Sequence, residues 1–317
     1  MPPDFWSITL ARRRNRGRNV HGILLLDKPA GLTSNRALQQ VKRLYDANKA
    51  GHTGSLDPLA TGMLPICLGE ATKVSGFLLD ADKRYQAVIK LGVKTNSGDA
   101  DGEVVETRPV PPLRRAQVVE VLEAFLGTQM QTPPMHSAIK QQGVPLYKLA
   151  HQGIEVTRKA REVTIHSIEL LRLDDDELEI DVHCTKGTYI RTLAEDIGEA
   201  LGCGAHIAAL RRTGVGGLAM ARMVDFDTLE ATAGQGFEAL DALLVPAGDA
   251  LPEWPAVRLS EDASYYLRRG QPVFVPQLKA SGWVRLYRGE EEFLGLGTVL
   301  DDGRVAPKRL LAAPGDE

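Results

Sequence analysis

The ordered pattern of the chain begins near His21. From Gly22 to Leu26 apolar residues run on and stop at Asp27-Lys28-Pro29-Ala30-Gly31, which reads as a strand entering a turn. Ser34 is placed to cap a helix whose apolar Leu38, Val41 and Leu44 lie on one face. A compact apolar stretch ends at Leu68. Tyr85, Ala87, Ile89 and Leu91 alternate with polar or small neighbours, as a strand would, and strand-like runs recur around Val163–Leu171 and Leu178–Cys184. Helical spacing is predicted for Val118, Leu122 and Phe125 after a proline-rich lead, and for Ile190, Leu193 and Ile197 after Lys186-Gly187. Strands and helices mix irregularly, which favours an α+β fold over a doubly wound sheet.

Between these elements lie segments with few core positions. Ala50 to Gly62 is a glycine-bounded loop, and 94–102 (KTNSGDADG) is a polar one. From Gln129 to Gly153 the chain is polar and carries Pro133, Pro134, Gly143 and Pro145, so a protruding insertion is expected, with one short helix near Tyr147–His151. Pro246–Pro255 has linker composition, and short strand signals beyond it are separated by Gly270, Gly282 and Gly289. The expected organisation is a basic arm at 1–19, a main domain at 20–245 with the insertion at 129–153, a linker at 246–256 and a small β-rich domain at 257–312. The arm holds Arg12, Arg13, Arg14, Arg16 and Arg18 without periodicity. Both a frayed basic terminus and a flexible phosphate-contacting tail fit that composition.

Composition changes this picture little. At 317 residues one large core plus a small second domain is the default. No apolar run is long enough to span a bilayer, and no apolar segment follows the arginine run as a secretory signal would require. The three cysteines, Cys67, Cys184 and Cys203, are far apart and suggest neither a disulfide framework nor a zinc knuckle, so a reducing, cytoplasmic compartment is expected. A formal net charge of −3 does not announce a nucleic-acid binder, although a basic cleft on an acidic body still focuses a field on a polyanion. Phosphate-binding glycine loops, dinucleotide fingerprints and zinc-spaced His or Cys pairs are missing, which disfavours cofactor and metal chemistry; His136, His151, His183 and His206 are expected in structural or surface positions.

The most unusual stretch is Gly51 to Gly62, GHTGSLDPLATG. Its glycines permit tight turns and close approach of a ligand to backbone, and they leave His52 and Asp57 as the strongly functional side chains within reach. On residue types alone, Asp57 is either a turn-capping residue in an Asp-Pro pair or a reacting carboxylate.

That stretch resembles the catalytic-aspartate signature of the family of bacterial-type synthases that make pseudouridine 55 in the T arm of tRNA, the TruB family. The likeness covers most of the chain. Gly22 to Pro29 with Gly31, Thr33 and Ser34 resembles the family's opening strand and turn, and Lys83-Arg84-Tyr85 its active-site tyrosine segment. Gln131 to Lys140 (QTPPMHSAIK) resembles the start of an insertion that reaches into the tRNA elbow. Lys186 to Arg191 (KGTYIR) resembles the segment holding a catalytic-site arginine, and Leu210 to Thr213 (LRRT) another piece of the pocket and RNA-facing surface. The loop Thr95-Asn96-Ser97-Gly98-Asp99 departs slightly, since many members place a second threonine nearer the aspartate.

The resemblance implies a pseudouridine synthase fold, with a mixed, mainly antiparallel sheet flanked by helices, and a small β-barrel-like RNA-binding domain of the PUA type at the C-terminus. It implies that uridine 55 is flipped out of its stack and isomerised. The N1–C1′ bond breaks, the trapped uracil turns, and C5 bonds to C1′. Asp57 is the implied nucleophile or base, and which of the two stays open. Arg191 would favour its ionised form, and Tyr85 would stack on the uracil, its phenol available to assist proton transfer at C5. Tyr189 would pack beneath the pocket, and His52 would promote the flipped state. Lys28 and Pro29 would border the pocket and Leu210 would wall the uracil site. Lys140, Lys148, Lys186, Arg211 and Arg212 are candidate phosphate contacts. The implied partner is tRNA, at its T arm and elbow, met by a monomer without guide RNA, membrane, metal or other cofactor. A second, tRNA-folding role is also implied. The rival readings are a synthase acting on another RNA and a catalytically idle tRNA-binding or tRNA-folding protein.

Overall fold

A computed structural model of the chain describes residues 17–312 apart from Ala138 and His151. In chain order the elements are β1 (Gly22–Lys28), α1 (Ser34–Leu44), β2 (Ala50–His52), β3 (Thr61–Leu68), α2 (Ser75–Asp80), β4 (Lys83–Leu91), β5 (Val93–Thr95), β6 (Val104–Thr107), α3 (Arg115–Glu123) and β7 (Gly127–Gln131). Next come β8 (Lys140–Gln141), β9 (Val144–Pro145), α4 (Leu146–Ala150), β10 (Arg161–Leu173), β11 (Glu177–Cys184), α5 (Ile190–Ala200), β12 (Ala205–Val215), α6 (Phe226–Ala233) and α7 (Phe237–Ala242). The chain ends with β13 (Ala256–Leu259), α8 (Glu261–Arg268), β14 (Val273–Phe274), β15 (Trp283–Arg288), β16 (Glu292–Val299) and β17 (Arg304–Leu310).

The main sheet runs β1-β3-β12-β4-β11-β10-β7, with β2 on the far side of β3. All neighbours are antiparallel except β3 and β12, which are parallel and meet at two residue pairs only, Arg211 with Thr61 and Arg212 with Gly62. The all-apolar run of β1 follows from burial on both faces. Leu24 and Leu26 join the large core under α1, α3 and α5, whereas Ile23 and Leu25 join a second core with Met63, Val74 and Leu78. Gly198 lets α5 cross β12 closely, since a Cβ there would come within 2.4 Å of the Ala205 nitrogen.

The C-terminal residues form a five-stranded sheet ordered β13-β15-β16-β17-β14, with its own core around Leu267, Val284, Leu286 and Leu294. It docks on the main domain. Phe77 meets Trp254 and Trp283 edge-on, with centroids 4.8 and 4.9 Å away, and Lys73 Nζ donates to Leu310 O at 2.9 Å.

Several expectations need correction. Thr33, not Ser34, caps α1 by accepting from Arg36 N at 3.2 Å; Ser34 is the first helical residue, and its hydroxyl turns inward to the Asp57 loop. Phe125 falls just past the end of α3. The insertion begins later than expected, because Gly127–Gln131 pairs with β10 as the edge of the main sheet. Beyond it stand the β8–β9 hairpin and α4; His151 lies outside the described residues. The expected linker is packed: Ala247–Ala250 forms a turn of 3-10 helix, and Ala247, Ala250 and Leu251 are buried in the second core. Of the basic arm, residues 1–16 lie outside the described residues. Arg18 is fastened, since its guanidinium pairs with Asp241, donates to Tyr45 O at 2.9 Å and covers the Phe237 ring. The polar loop 94–102 sits within the β5–β6 hairpin. The strand β12 and the helices α6 and α7 had no sequence expectation.

Candidate active site

Asp57 sits on a loop, residues 53–60, between β2 and β3, and the sequence fastens that loop from several sides. Leu56 and Ala60 are buried anchors. Leu56 N donates to Ser34 Oγ at 2.8 Å, and that hydroxyl returns a bond to Leu56 O at 3.0 Å. Lys28 Nζ, wholly buried, donates to the carbonyls of Pro29, Leu32 and Pro58 at 2.7, 2.7 and 3.3 Å, tying the β1–α1 turn to the loop. Backbone held this way is preorganised, so the carboxyl direction is fixed before any ligand arrives.

The Asp57 side chain remains 39% exposed, while its partner Arg191 is only 5% exposed. Arg191, in the first turn of α5, engages the carboxylate side-on, Nε to Oδ2 at 2.9 Å and Nη2 to Oδ1 at 3.2 Å. Its other donors reach Ser97 O at 2.8 Å and His136 O at 2.7 Å, and Asp99 Oδ2 lies 3.5 Å from Nη1. Three separate segments therefore converge on one guanidinium. Burial pushes the Asp57 carboxyl above its ordinary value and Asp99 adds to that shift, whereas Arg191 and Lys28 oppose it. Burial lowers Lys28 to about 8, with Asp57 resisting the change.

Tyr85 stands on β4 opposite Arg212 of β12. Burial raises its phenol, and the charge of Arg212 counteracts this. Tyr189 precedes α5, and its backbone N–H and C=O pair with the amide of Gln131 at 2.7 and 3.0 Å. His52 ends β2 with a lowered pKa, from burial first and from Arg212 second. A cleft of about 590 Å³ opens where β3 and β12 diverge; Gly31, Leu59, Thr61, Gln86, Leu210 and Arg211 are among its walls. Leu59 and Thr61 connect it to the Asp57 loop.

The structure thus brings Asp57, Arg191, Lys28, Pro29, Tyr85, His52, Tyr189 and Leu210 to one region. It separates the proposed phosphate contacts. Lys140 and Lys148 are exposed on β8 and α4, and Lys186 is exposed and paired with Asp80 at 2.8 Å. Arg211 is paired with Asp27 at 2.7 Å. Arg212 is 1% exposed and is corrected, since a guanidinium with no solvent face is not placed to touch an RNA backbone. Sequence reasoning gave no role to Asp99, Gln131 or Lys83. Lys83 is buried, and its ammonium donates to the carbonyls of Leu79 and Ala81 at the end of α2. Asp99 had a signal, because its loop is as dense in small polar residues and glycine as the Asp57 loop. Where that loop departs from the family pattern, Ser97 Oγ donates to Asp99 Oδ1 at 2.5 Å.

Comparison with known proteins agrees with this geometry. Residues 42–190 match the model of the TruB family pseudouridylate synthase N-terminal domain, 191–252 that of the tRNA pseudouridylate synthase B C-terminal domain, and 255–311 that of the pseudouridine synthase II TruB C-terminal domain. A Nitrosococcus oceani protein named tRNA pseudouridine synthase B is 60% identical over 300 residues, covering 95% of this chain and 97% of its own. A Serratia proteamaculans protein of the same name is 52% identical over 310 residues, covering 95% and 98%. Among solved structures, a chain of a Cbf5-Nop10-Gar1 complex superposes with a TM-score of 0.73 at 26% identity, covering 93% of this chain and 86% of that one. The chain belongs to the TruB family of pseudouridylate synthases.

Proposed function

We propose that this chain converts uridine 55 in the T loop of tRNA to pseudouridine. The observation that carries the reading is Asp57, a part-exposed carboxylate held side-on by a buried arginine next to a cleft. A uridine within a stacked arm hides its glycosidic bond, so the base must leave the stack to reach that carboxylate. Asp57 acts on the ribose as nucleophile or base, the N1–C1′ bond breaks, and the uracil turns in place. C5 then bonds to C1′, the C5 proton departs, and N1 takes up a proton. No electrons are exchanged with an outside reagent.

Arg191 keeps Asp57 ionised against burial and fixes its direction. Tyr85 offers its ring to the uracil, a contact that is worth roughly 1–3 kcal/mol per base and does not tell uracil from cytosine. Leu210 walls the base, Tyr189 supports the floor, and His52 favours the extruded state. Lys140 and Lys148 on the insertion, with Lys186 and Arg211, face the RNA backbone near the elbow. The protein acts alone on tRNA, in the cytoplasm and without a guide RNA. The match to relatives named for tRNA, over nearly their whole length, supports this more than the weaker likeness to Cbf5.

Tritium release from tRNA labelled at uracil C5 tests the reading. The native protein should release tritium, Asp57→Asn should not, and a transcript with cytidine at the T-loop position should yield none. Release from that last transcript would move the target elsewhere.

A further inference from the structure

Arg212 is the largest of the fully buried side chains, and it carries a charge at the one junction where β3 and β12 touch. The junction is tight. Gly62, opposite Arg212, has φ of +97°, and a Cβ there would lie 2.3 Å from Arg212 O, so only glycine lets the strands meet. From this point Nε donates to Met63 O at 2.7 Å and Nη2 to Gly54 O at 3.3 Å, and Tyr85 is its register partner on β4. Among the described residues it forms no ion pair. Its charge lowers the pKa of Lys28, His52, Lys83 and Tyr85.

A guanidinium buried without a carboxylate is costly, and one without solvent access gains nothing from a phosphate. What it does accomplish is geometric. Gly54 lies three residues before Asp57, Met63 follows the loop, and Tyr85 stands across the junction. One planar fork reaches both the start of the loop and the strand that follows it. Arg211, its neighbour, points the other way to Asp27.

We propose that Arg212 is a positioning residue: by holding the Gly54 and Met63 carbonyls from β12, it fixes the Asp57 loop at both ends against the strand that faces Tyr85. This rests on the proposed function, in which uracil and ribose must be gripped together while the base turns.

The test uses the full chain and excess enzyme over tritiated tRNA, so that single-turnover release reports chemistry and a separate binding titration reports affinity. Arg212→Gln keeps two polar donors but loses the charge and the fork. It should slow single-turnover release about 100-fold, the scale of a misplaced reacting group, with tRNA affinity unchanged. Arg212→Lys keeps the charge but loses the fork, so it should be slowed nearly as much, again with affinity unchanged. His52, followed by NMR, should titrate at higher pH in Arg212→Gln, which confirms loss of the charge in a folded protein. An unchanged rate in either variant, or a loss of affinity instead of rate, would overturn the positioning role. Should Arg212→Gln not fold, Arg212→Lys decides, since a native rate with the charge kept and the fork lost leaves the fork no part in the reaction. Absence of release from the native protein would instead sink the functional reading itself.

Discussion

The surroundings of Asp57 and the C-terminal sheet treat charge in opposite ways. Around Asp57 and on the strands beside it four cations, Lys28, Lys83, Arg191 and Arg212, are buried, and each donates to backbone carbonyls; among the described residues only Arg191 of these four also forms an ion pair. On the C-terminal sheet Arg285 also donates to carbonyls, but other cations sit at the surface paired with neighbouring acids, as in Arg258 with Glu290 and Arg304 with Asp302. A buried charge costs several kcal/mol unless donors and acceptors are matched around it, whereas an exposed pair contributes about 0–1 kcal/mol. The first arrangement yields a rigid positive setting for one anion. The second serves solubility and leaves the sheet's stability to its apolar core. Perturbing each region should therefore give effects of different size and kind.

The largest effect is expected at the one anion in the cationic setting. Asp57→Asn should reduce tritium release by at least about 10⁴-fold, the scale seen when a group that acts directly on the reacting atoms is removed, with tRNA affinity nearly intact. Arg191→Met removes the charge that opposes burial and should cost about 10²–10³-fold. Its pH profile should also change. Catalysis needs ionised Asp57, whose pKa lies above the ordinary carboxylate value, so native activity falls as pH drops through that raised value. Without Arg191 the carboxyl rises further and the acid limb moves to higher pH. An acid limb that does not move would break the contrast at Asp57.

A smaller effect is expected on stability. Lys28 titrates at about 8 in the folded chain against 10.5 in the unfolded one. Between those values the unfolded chain binds more protons, so stability rises with pH through this window and the cost of the buried charge is present in full below it. Lys28→Met should flatten that rise in urea unfolding compared at about pH 7 and about pH 10, leaving the similar contribution of Lys83. It should also destabilise at neutral pH by about 2 kcal/mol, because the carbonyls of Pro29, Leu32 and Pro58 lose their donor.

Much of this was legible in the sequence where pattern and burial coincide. The β1 run, the β4 alternation and the α5 stripe each face apolar neighbours, so periodicity reported them faithfully. β12 escaped notice because its alternation is broken by bulges near Ala208 and Thr213, and because Arg211 and Arg212 read as surface charge. The Pro246–Pro255 stretch has the composition of a linker, yet small residues such as Ala247 and Ala250 fit a tight interface between two domains. Asp57 stood out by its glycine-rich frame. Asp99 sits in a similar small, polar frame, whereas nothing local marks Gln131, whose amide works through the backbone of Tyr189, 58 positions away.

The smallest effect should come from the opposite region. Arg258 and Glu290 lie 2.7 Å apart, yet their side chains are 55% and 80% exposed, so water screens the pair and both chains lose rotamer freedom by holding it. Arg258→Ala should change unfolding free energy by no more than about 0.5 kcal/mol and leave single-turnover release untouched. If binding measurements instead showed weaker tRNA affinity with a shallower salt dependence, Arg258 would be neutralising a phosphate. The C-terminal sheet would then share the RNA-facing work assigned to the insertion, and its surface cations would be binding groups instead of mere solvated partners.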